Sequence, residues 1–276
     1  MNTIVIFGQF KTGTTVIFYK IRESLPAKGV HLLFEPDRYV PPVDPVDKTV
    51  LAKVILGVDN KVEYEDFLKF EYAIYIVRDP RDWLISGLLF VCQQLREIWS
   101  REDHTQVILN LLRQKETAPT SVSVHDLLRE IVACTGWSTE ELLKWITRQQ
   151  RWLVTFESKR QFHVLRYEHF VAGNYSKLES YLGIDLTDSV PVVPTTHSHT
   201  ARTRSFGNWK SWFVEADIEL FRPVFEDYIS RHHYDPSWQL DALPVISPEH
   251  SSQYVRRIID RRRKIAARTQ SVIGSK

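Results

Sequence analysis

Cysteine is nearly absent from this chain of 276 residues. Its two cysteines, Cys92 and Cys134, form neither a C-x-x-C pair nor a disulfide framework, which fits a reducing compartment. No stretch approaches the 18 uncharged apolar residues of a membrane span. The apolar run at Ile4 follows Met1 so closely that no basic n-region or cleavable segment is expected before it. The expectation is a cytoplasmic, soluble protein without stable membrane insertion. Charge of one sign is also lacking overall, at +2 net, but it is unevenly spread. Residues 251–276 hold eight Lys or Arg against Asp260 alone, +7, leaving about −5 for the rest. No aromatic follows Tyr254 to stack on bases or to anchor in a bilayer. No nucleic-acid partner is therefore expected, and the tail reads as a helix docked through Val255, Ile258 and Ile259 with its arginines mostly solvated.

With 43% hydrophobic residues the chain can bury one large core, as a single α/β domain of this size does. Its organising stretch is Ile4-Val5-Ile6-Phe7-Gly8-Gln9-Phe10-Lys11-Thr12-Gly13-Thr14-Thr15. An apolar β-branched run stops at a glycine, turns, and restarts at paired threonines: strand, tight loop, helix. The amides of such a loop and of the following first helical turn converge on one concavity suited to phosphate. Gly8 and Gly13 have the separation of the triphosphate P-loop G-x-x-x-x-G-K-[ST], but Thr14 stands where its lysine belongs. The cation is instead Lys11, before the second glycine.

Further strands are predicted at Val30–Phe34, ending in Glu35-Pro36, at Thr49–Leu56, with Lys53 inside it, at Tyr72–Val77, and at Phe162–Glu168. The apolar strands alternate with helices, so the fold class is α/β, a parallel sheet flanked by helices, whose ligands sit at the strands' carboxyl ends. Gly8, Glu35, Lys53 and Arg78 fall at or near those ends. For Lys53 two orientations stay open, toward solvent or toward a bound anion. Pro80 opens a helix after Arg78-Asp79, and residues 95–157 are a helical insertion containing the capping box Ser138-Thr-Glu-Glu141. A single helix is predicted from about Phe170 to Leu182, ended by Gly183, another from Glu215 to Arg231, and a last one entered at Ser247-Pro248-Glu249. The expected organisation is one domain over 1–240 and a basic helical extension over 241–276. His197-x-His199 with His232 and His233 has too little carboxylate or cysteine support to read as a metal site.

Lys11-Thr12-Gly13-Thr14-Thr15 resembles the phosphosulfate loop x-x-K-[ST]-G-T-T of the sulfotransferases that use 3′-phosphoadenosine 5′-phosphosulfate (PAPS). Arg78 and Ser86, eight residues apart, are similar to that family's strand-end arginine and helix serine, which hold the 3′-phosphate. Arg202-Thr203-Arg204-Ser205-Phe206-Gly207-Asn208-Trp209-Lys210 resembles its R-K-G-x-x-G-D-W-K segment, with Thr203 and Arg204 departing from it. Tyr167-Glu168 stands where the family's adenine-contacting tyrosine does. The resemblance spans residues 4–210 and implies a P-loop-type fold with Lys11, Thr12, Gly13, Thr14, Thr15, Arg78, Ser86, Tyr167, Arg202, Arg204 and Gly207 at the nucleotide. Two positions depart from the cytosolic members: Val16 replaces their adenine-stacking tryptophan, and Ile55 the histidine base of their Lys-Thr-His phrase.

The implied activity is transfer of a sulfuryl group from PAPS, with PAP as product and no metal required. The acceptor is a hydroxyl, or an amine, of a small molecule or glycan. Phe34-Glu35-Pro36 is similar to the F-E-P of carbohydrate sulfotransferases, which nominates Glu35 as the base, with Lys11 and Lys53 neutralising charge. His31 begins its strand, away from the site; His197 and His199 are the next candidates. Two alternatives remain: a P-loop kinase or NTPase with Asp79 holding magnesium, and a non-catalytic nucleotide-binding scaffold.

Overall fold

The computed structural model describes residues 2–42, 49–186, 193, 194, 197 and 202–273. In chain order the elements are β1 (Asn2–Gly8), α1 (Thr14–Ser24), β2 (Val30–Phe34), β3 (Thr49–Ile55), α2 (Tyr64–Leu68) and β4 (Tyr72–Val77). Then come α3 (Pro80–Val91), α4 (Arg96–Trp99), α5 (Glu102–Thr117), α6 (Val124–Ala133) and α7 (Thr139–Glu157). The chain continues with β5 (His163–Arg166), α8 (Tyr167–Val171), α9 (Ser176–Leu182), α10 (Trp209–Trp212), α11 (Glu215–Arg231) and α12 (Ser252–Ile273). No described helix is long and apolar enough to cross a membrane. The chain divides into two compact units, Met1–Arg78 with Arg148–Ala201, and Asp79–Thr147 with Arg202–Lys276.

The first unit carries a five-stranded parallel sheet in the order β2-β3-β1-β4-β5, so the α/β parallel architecture expected from the sequence is present. Its three central strands, β3, β1 and β4, are largely apolar and mostly buried because both of their faces are covered. On one face Ile4, Ile6, Leu51, Ile74 and Ile76 pack with Ile17, Phe18 and Ile21 of α1. On the other, Phe7 meets Phe156 of α7 at 5.1 Å and Phe162 at 5.8 Å, both edge-to-face. The predicted helix over 170–182 is two: α8 begins at Tyr167, and the chain turns through Gly173, at φ +80°, before α9. The left-handed backbone that a glycine admits there ends the first helix.

The second unit is helical among its described residues. Asp79 caps α3 by accepting from the Arg81 amide at 2.9 Å, with Pro80 in the first turn. Ser123 and Asp126 form a reciprocal capping box on α6. α12 lies against α3, α4 and α5 through Tyr254, Val255, Ile258 and Ile259, all fully buried. Its entry, Pro248–His250, is a short 3-10 turn.

Candidate active site

Gly8 ends β1 where a side chain has no room: a Cβ there would lie 2.6 Å from Thr12 Oγ1 and 2.7 Å from Thr14 Cγ2. Thr12 closes the turn by donating its hydroxyl to the Gln9 carbonyl at 2.7 Å. Gly13 has φ +92°, and a Cβ on it would strike the Tyr167 ring at 2.5 Å. The loop is therefore pressed between its own threonines and a tyrosine from the start of α8. α1 begins at Thr14, so its first-turn amides, which no helix can satisfy internally, open at the loop.

Lys53 is the residue the sequence left undecided. It lies on β3, in register with Ile6 of β1 and Phe34 of β2, and is only 2% exposed, so the solvent orientation is excluded. Its ammonium donates to Thr15 Oγ1 at 2.9 Å and to Glu35 Oε1 at 2.5 Å, over the Phe34 ring at 4.0 Å. Burial lowers its pKa, and the Glu35 carboxylate partly restores it. Glu35 is fixed from the backbone as well, through its amide to the Lys53 carbonyl at 2.9 Å, while its side chain remains 49% exposed. One carboxylate is thus held by a buried cation that also grips the helix of the phosphate loop.

Arg78, at the exit of β4 and 5% exposed, donates through Nη1 to the Lys11 carbonyl at 2.8 Å. Its guanidinium lies 4.4 Å from the Tyr167 ring centroid, and its buried Nε has no hydrogen-bond partner among the described residues. A buried donor left unpaired costs free energy unless a ligand or water meets it. Among the described residues only three non-glycines have left-handed backbone, and two are Lys11 (φ 66°) and Glu35 (φ 55°); the third is His233. Such a conformation costs roughly 1–2 kcal/mol and tends to gather at functional sites.

The first unit therefore joins Lys11, Thr12, Gly13, Thr14, Thr15, Glu35, Lys53, Arg78 and Tyr167 through a continuous set of contacts. Ser86, Arg202, Arg204 and Gly207 belong to the second unit. Ser86 is buried on α3, Arg202 donates to the His250 carbonyl at 3.1 Å, and Arg204 is exposed. Gly207 donates its amide to Asp82 Oδ2 at 2.5 Å, and the Trp209 amide meets Asp82 Oδ1 at 3.0 Å. Asp82 is thus the anchor of the 207–209 backbone. Asp79 is held by Arg81, Nε to Oδ1 at 2.9 Å and Nη2 to Oδ2 at 2.7 Å, and Arg81 in turn lies 4.0 Å from the Trp209 ring. Val16 packs against the sheet core, His31 sits at the opposite end of β2 from Phe34, and His199 lies outside the described residues. The His197 ring lies 4.2 Å from that of Phe34, beside Glu35, a neighbour that no periodicity signalled.

No family model matches the chain, and no curated protein matches it. Among solved structures it is similar to a mouse sulfotransferase complexed with PAP, at 16% identity and a TM-score of 0.47, over 83% of this chain and 85% of that one.

Proposed function

We propose that this protein is a sulfotransferase that moves a sulfuryl group from PAPS to an acceptor hydroxyl, or an amine, on a small molecule or glycan. The observation that carries the reading is Lys53, buried and bonded at once to Thr15 of the phosphate loop's helix and to Glu35 at a strand's carboxyl end. A cation so placed ties an anion-binding loop to an acid placed to take a proton. The fit to the nucleotide is supported by the glycine-lined loop, whose threonines leave no space for a Cβ, and by the unpaired, buried Arg78 Nε.

PAPS would supply the activated sulfuryl group, its sulfur–oxygen bond to the 5′-phosphate breaking as the acceptor oxygen bonds to sulfur and PAP departs. The chain's own residues do the rest. Glu35 accepts the acceptor's proton through its exposed carboxylate, Lys11 and Lys53 neutralise developing negative charge, and Arg78 binds a phosphate oxygen with a charge-assisted bond. Tyr167 holds Arg78 and Gly13 in place and contributes its ring to the nucleotide pocket. In the second unit, Ser86, Arg202, Arg204 and Gly207 remain proposed nucleotide residues, each open to substitution by itself. No step in this scheme requires a metal.

A kinase or NTPase is disfavoured by two observations: Thr14 occupies the lysine position, and the Asp79 carboxylate that magnesium would need is taken up by Arg81. A scaffold would leave the left-handed backbone at both Lys11 and Glu35 without a return. Thermal melting with ligands separates the three. PAP without magnesium is expected to raise the melting temperature and Mg-ATP to leave it unchanged. Stabilisation by Mg-ATP and not by PAP, or by neither, overturns the proposal.

A further inference from the structure

A second concentration of cations lies wholly within the second unit, on the basic helix α12 and the facing side of α5. A groove of about 830 Å³ is lined there by Arg113, Arg256, Arg257, Arg261 and Lys264, against two carboxylates, Glu116 and Asp260. The five cations outnumber the two carboxylates by three. Glu116 also accepts the backbone amide of Ser252 at 2.8 Å, and Asp260, itself part of the groove, lies 3.9 Å from Arg263. Arg256 is paired with Glu102 at 3.1 Å. Arg257 lies over the Tyr254 ring at 5.6 Å, a contact that keeps its charge.

The pattern along the helix is directional. Arg257, Arg261 and Lys264 are spaced four and three residues apart, so they share one face and span ~10 Å along the axis. Arg257 and Lys264 are exposed, whereas the opposite face, Val255, Ile258 and Ile259, is buried in the unit. The arrangement is also unfavourable for the helix by itself. No acidic residue stands in its first turn, and Arg256 and Arg257 follow within two turns of its positive end. An exposed ion pair contributes little alone, but several cations converging on one ligand add, and a groove of this volume is in the range of compact ligand sites.

We propose that this groove is a binding site for a compact polyanion, a ligand bearing two or more phosphate or sulfate groups spaced to meet Arg257, Arg261 and Lys264 together. The site is separate from the phosphate loop in sequence and in chemistry. The loop offers backbone amides and one lysine, whereas the groove's charge comes from five side-chain cations set against two carboxylates. A free phosphorylated metabolite, a sulfated saccharide and a lipid headgroup share this chemistry.

The test is titration calorimetry of the full chain with inorganic tripolyphosphate and with inorganic phosphate. Arms with a soluble sulfated disaccharide and with vesicles containing a bisphosphorylated inositol lipid identify the source. Tripolyphosphate is expected to saturate a site at least ~10-fold tighter than phosphate does, and to weaken as salt is raised. Arg257→Gln with Arg261→Gln should weaken it by a further ~10-fold or more, and Lys264→Gln by about threefold, with the melting temperature of the exposed-site variants Arg257→Gln and Lys264→Gln unchanged. Lys11→Ala should leave the affinity as it was. Absence of saturable binding overturns the proposal. So does equal affinity in the double glutamine variant, loss of binding in Lys11→Ala alone, or a groove that holds RNA while ignoring tripolyphosphate.

Discussion

Three of the described lysines are almost wholly buried, Lys20 at 1% exposure, Lys53 at 2% and Lys115 at 0%, and the surroundings of the last two differ in one respect. Lys115, near the end of α5, donates to the carbonyl oxygens of Pro119 at 2.8 Å and Val122 at 2.5 Å. These are neutral acceptors, and burial takes its pKa down to about 8, against an opposing pull from Asp217 and Asp126. Its partners close the turn leading to α6 and are themselves backbone. Lys53 has a carboxylate and a hydroxyl as partners, and that carboxylate, Glu35, is half exposed. A buried cation satisfied by carbonyls is a clip for the chain. One whose counter-charge faces solvent instead holds a reactive group in place, because the carboxylate keeps an oxygen for a ligand.

Replacing each lysine breaks the comparison in a different observable. Lys53→Met should lower sulfuryl transfer by ~10²–10³-fold, since it removes both charge neutralisation and the hold on Glu35. Its effect on stability should stay within ~1 kcal/mol, because the freed carboxylate can hydrate. A folded Lys53→Met protein with wild-type turnover would make this lysine a clip like the other. Lys115→Met should spare turnover and change the pH dependence of stability. The folded pKa of Lys115, about 8, lies below the ordinary lysine value of 10.5, so between them the unfolded chain binds the extra proton and stability rises with pH. Denaturant unfolding from pH 7 to 11 should therefore show the wild type gaining up to ~3 kcal/mol relative to Lys115→Met. Parallel curves would remove Lys115 from the balance.

Arg78 sharpens the same contrast, since it too is buried but has one nitrogen bonded to the chain and another unpaired. Losing a charge-assisted phosphate bond costs about 1.5–3 kcal/mol, so Arg78→Ala should weaken PAP roughly 10- to 100-fold. Adenosine 5′-phosphosulfate, which has no 3′-phosphate, should lose far less. Calorimetry giving equal losses for both ligands would assign Arg78 to holding Lys11 and Tyr167 only.

The sheet was legible in the sequence because its central strands β1, β3 and β4 are mostly buried and so read as largely apolar runs. The phosphate loop was legible because its glycines and threonines are neighbours in the chain. Ser138 and Glu141 announced their helix in the same local way, and the Glu141 amide does meet Ser138 Oγ, at 3.2 Å. What the sequence could not yield are pairings across long separations. Period-2 reasoning places Lys53 on a strand but does not choose its face, and nothing local links it to Thr15, 38 residues earlier. Nothing local links Asp82 to the amides it accepts from, at Gly207 and Trp209, more than a hundred residues away. The break between α8 and α9 was missed for the opposite reason. Gly173 was visible, but a lone glycine in an apolar-periodic run does not say whether the helix tolerates it or stops.

Glu35 gives the most direct test of the account, as transfer of radiolabelled sulfuryl from PAPS to an acceptor pool by wild type and by Glu35→Gln. The glutamine keeps shape and hydrogen bonding beside Lys53 but does not accept the proton, so turnover should fall by about 10²–10⁴-fold. PAP affinity, measured on the same preparations, should be unchanged. Normal turnover in Glu35→Gln, or a wild-type protein that binds PAP and moves no label to any acceptor, would contradict it.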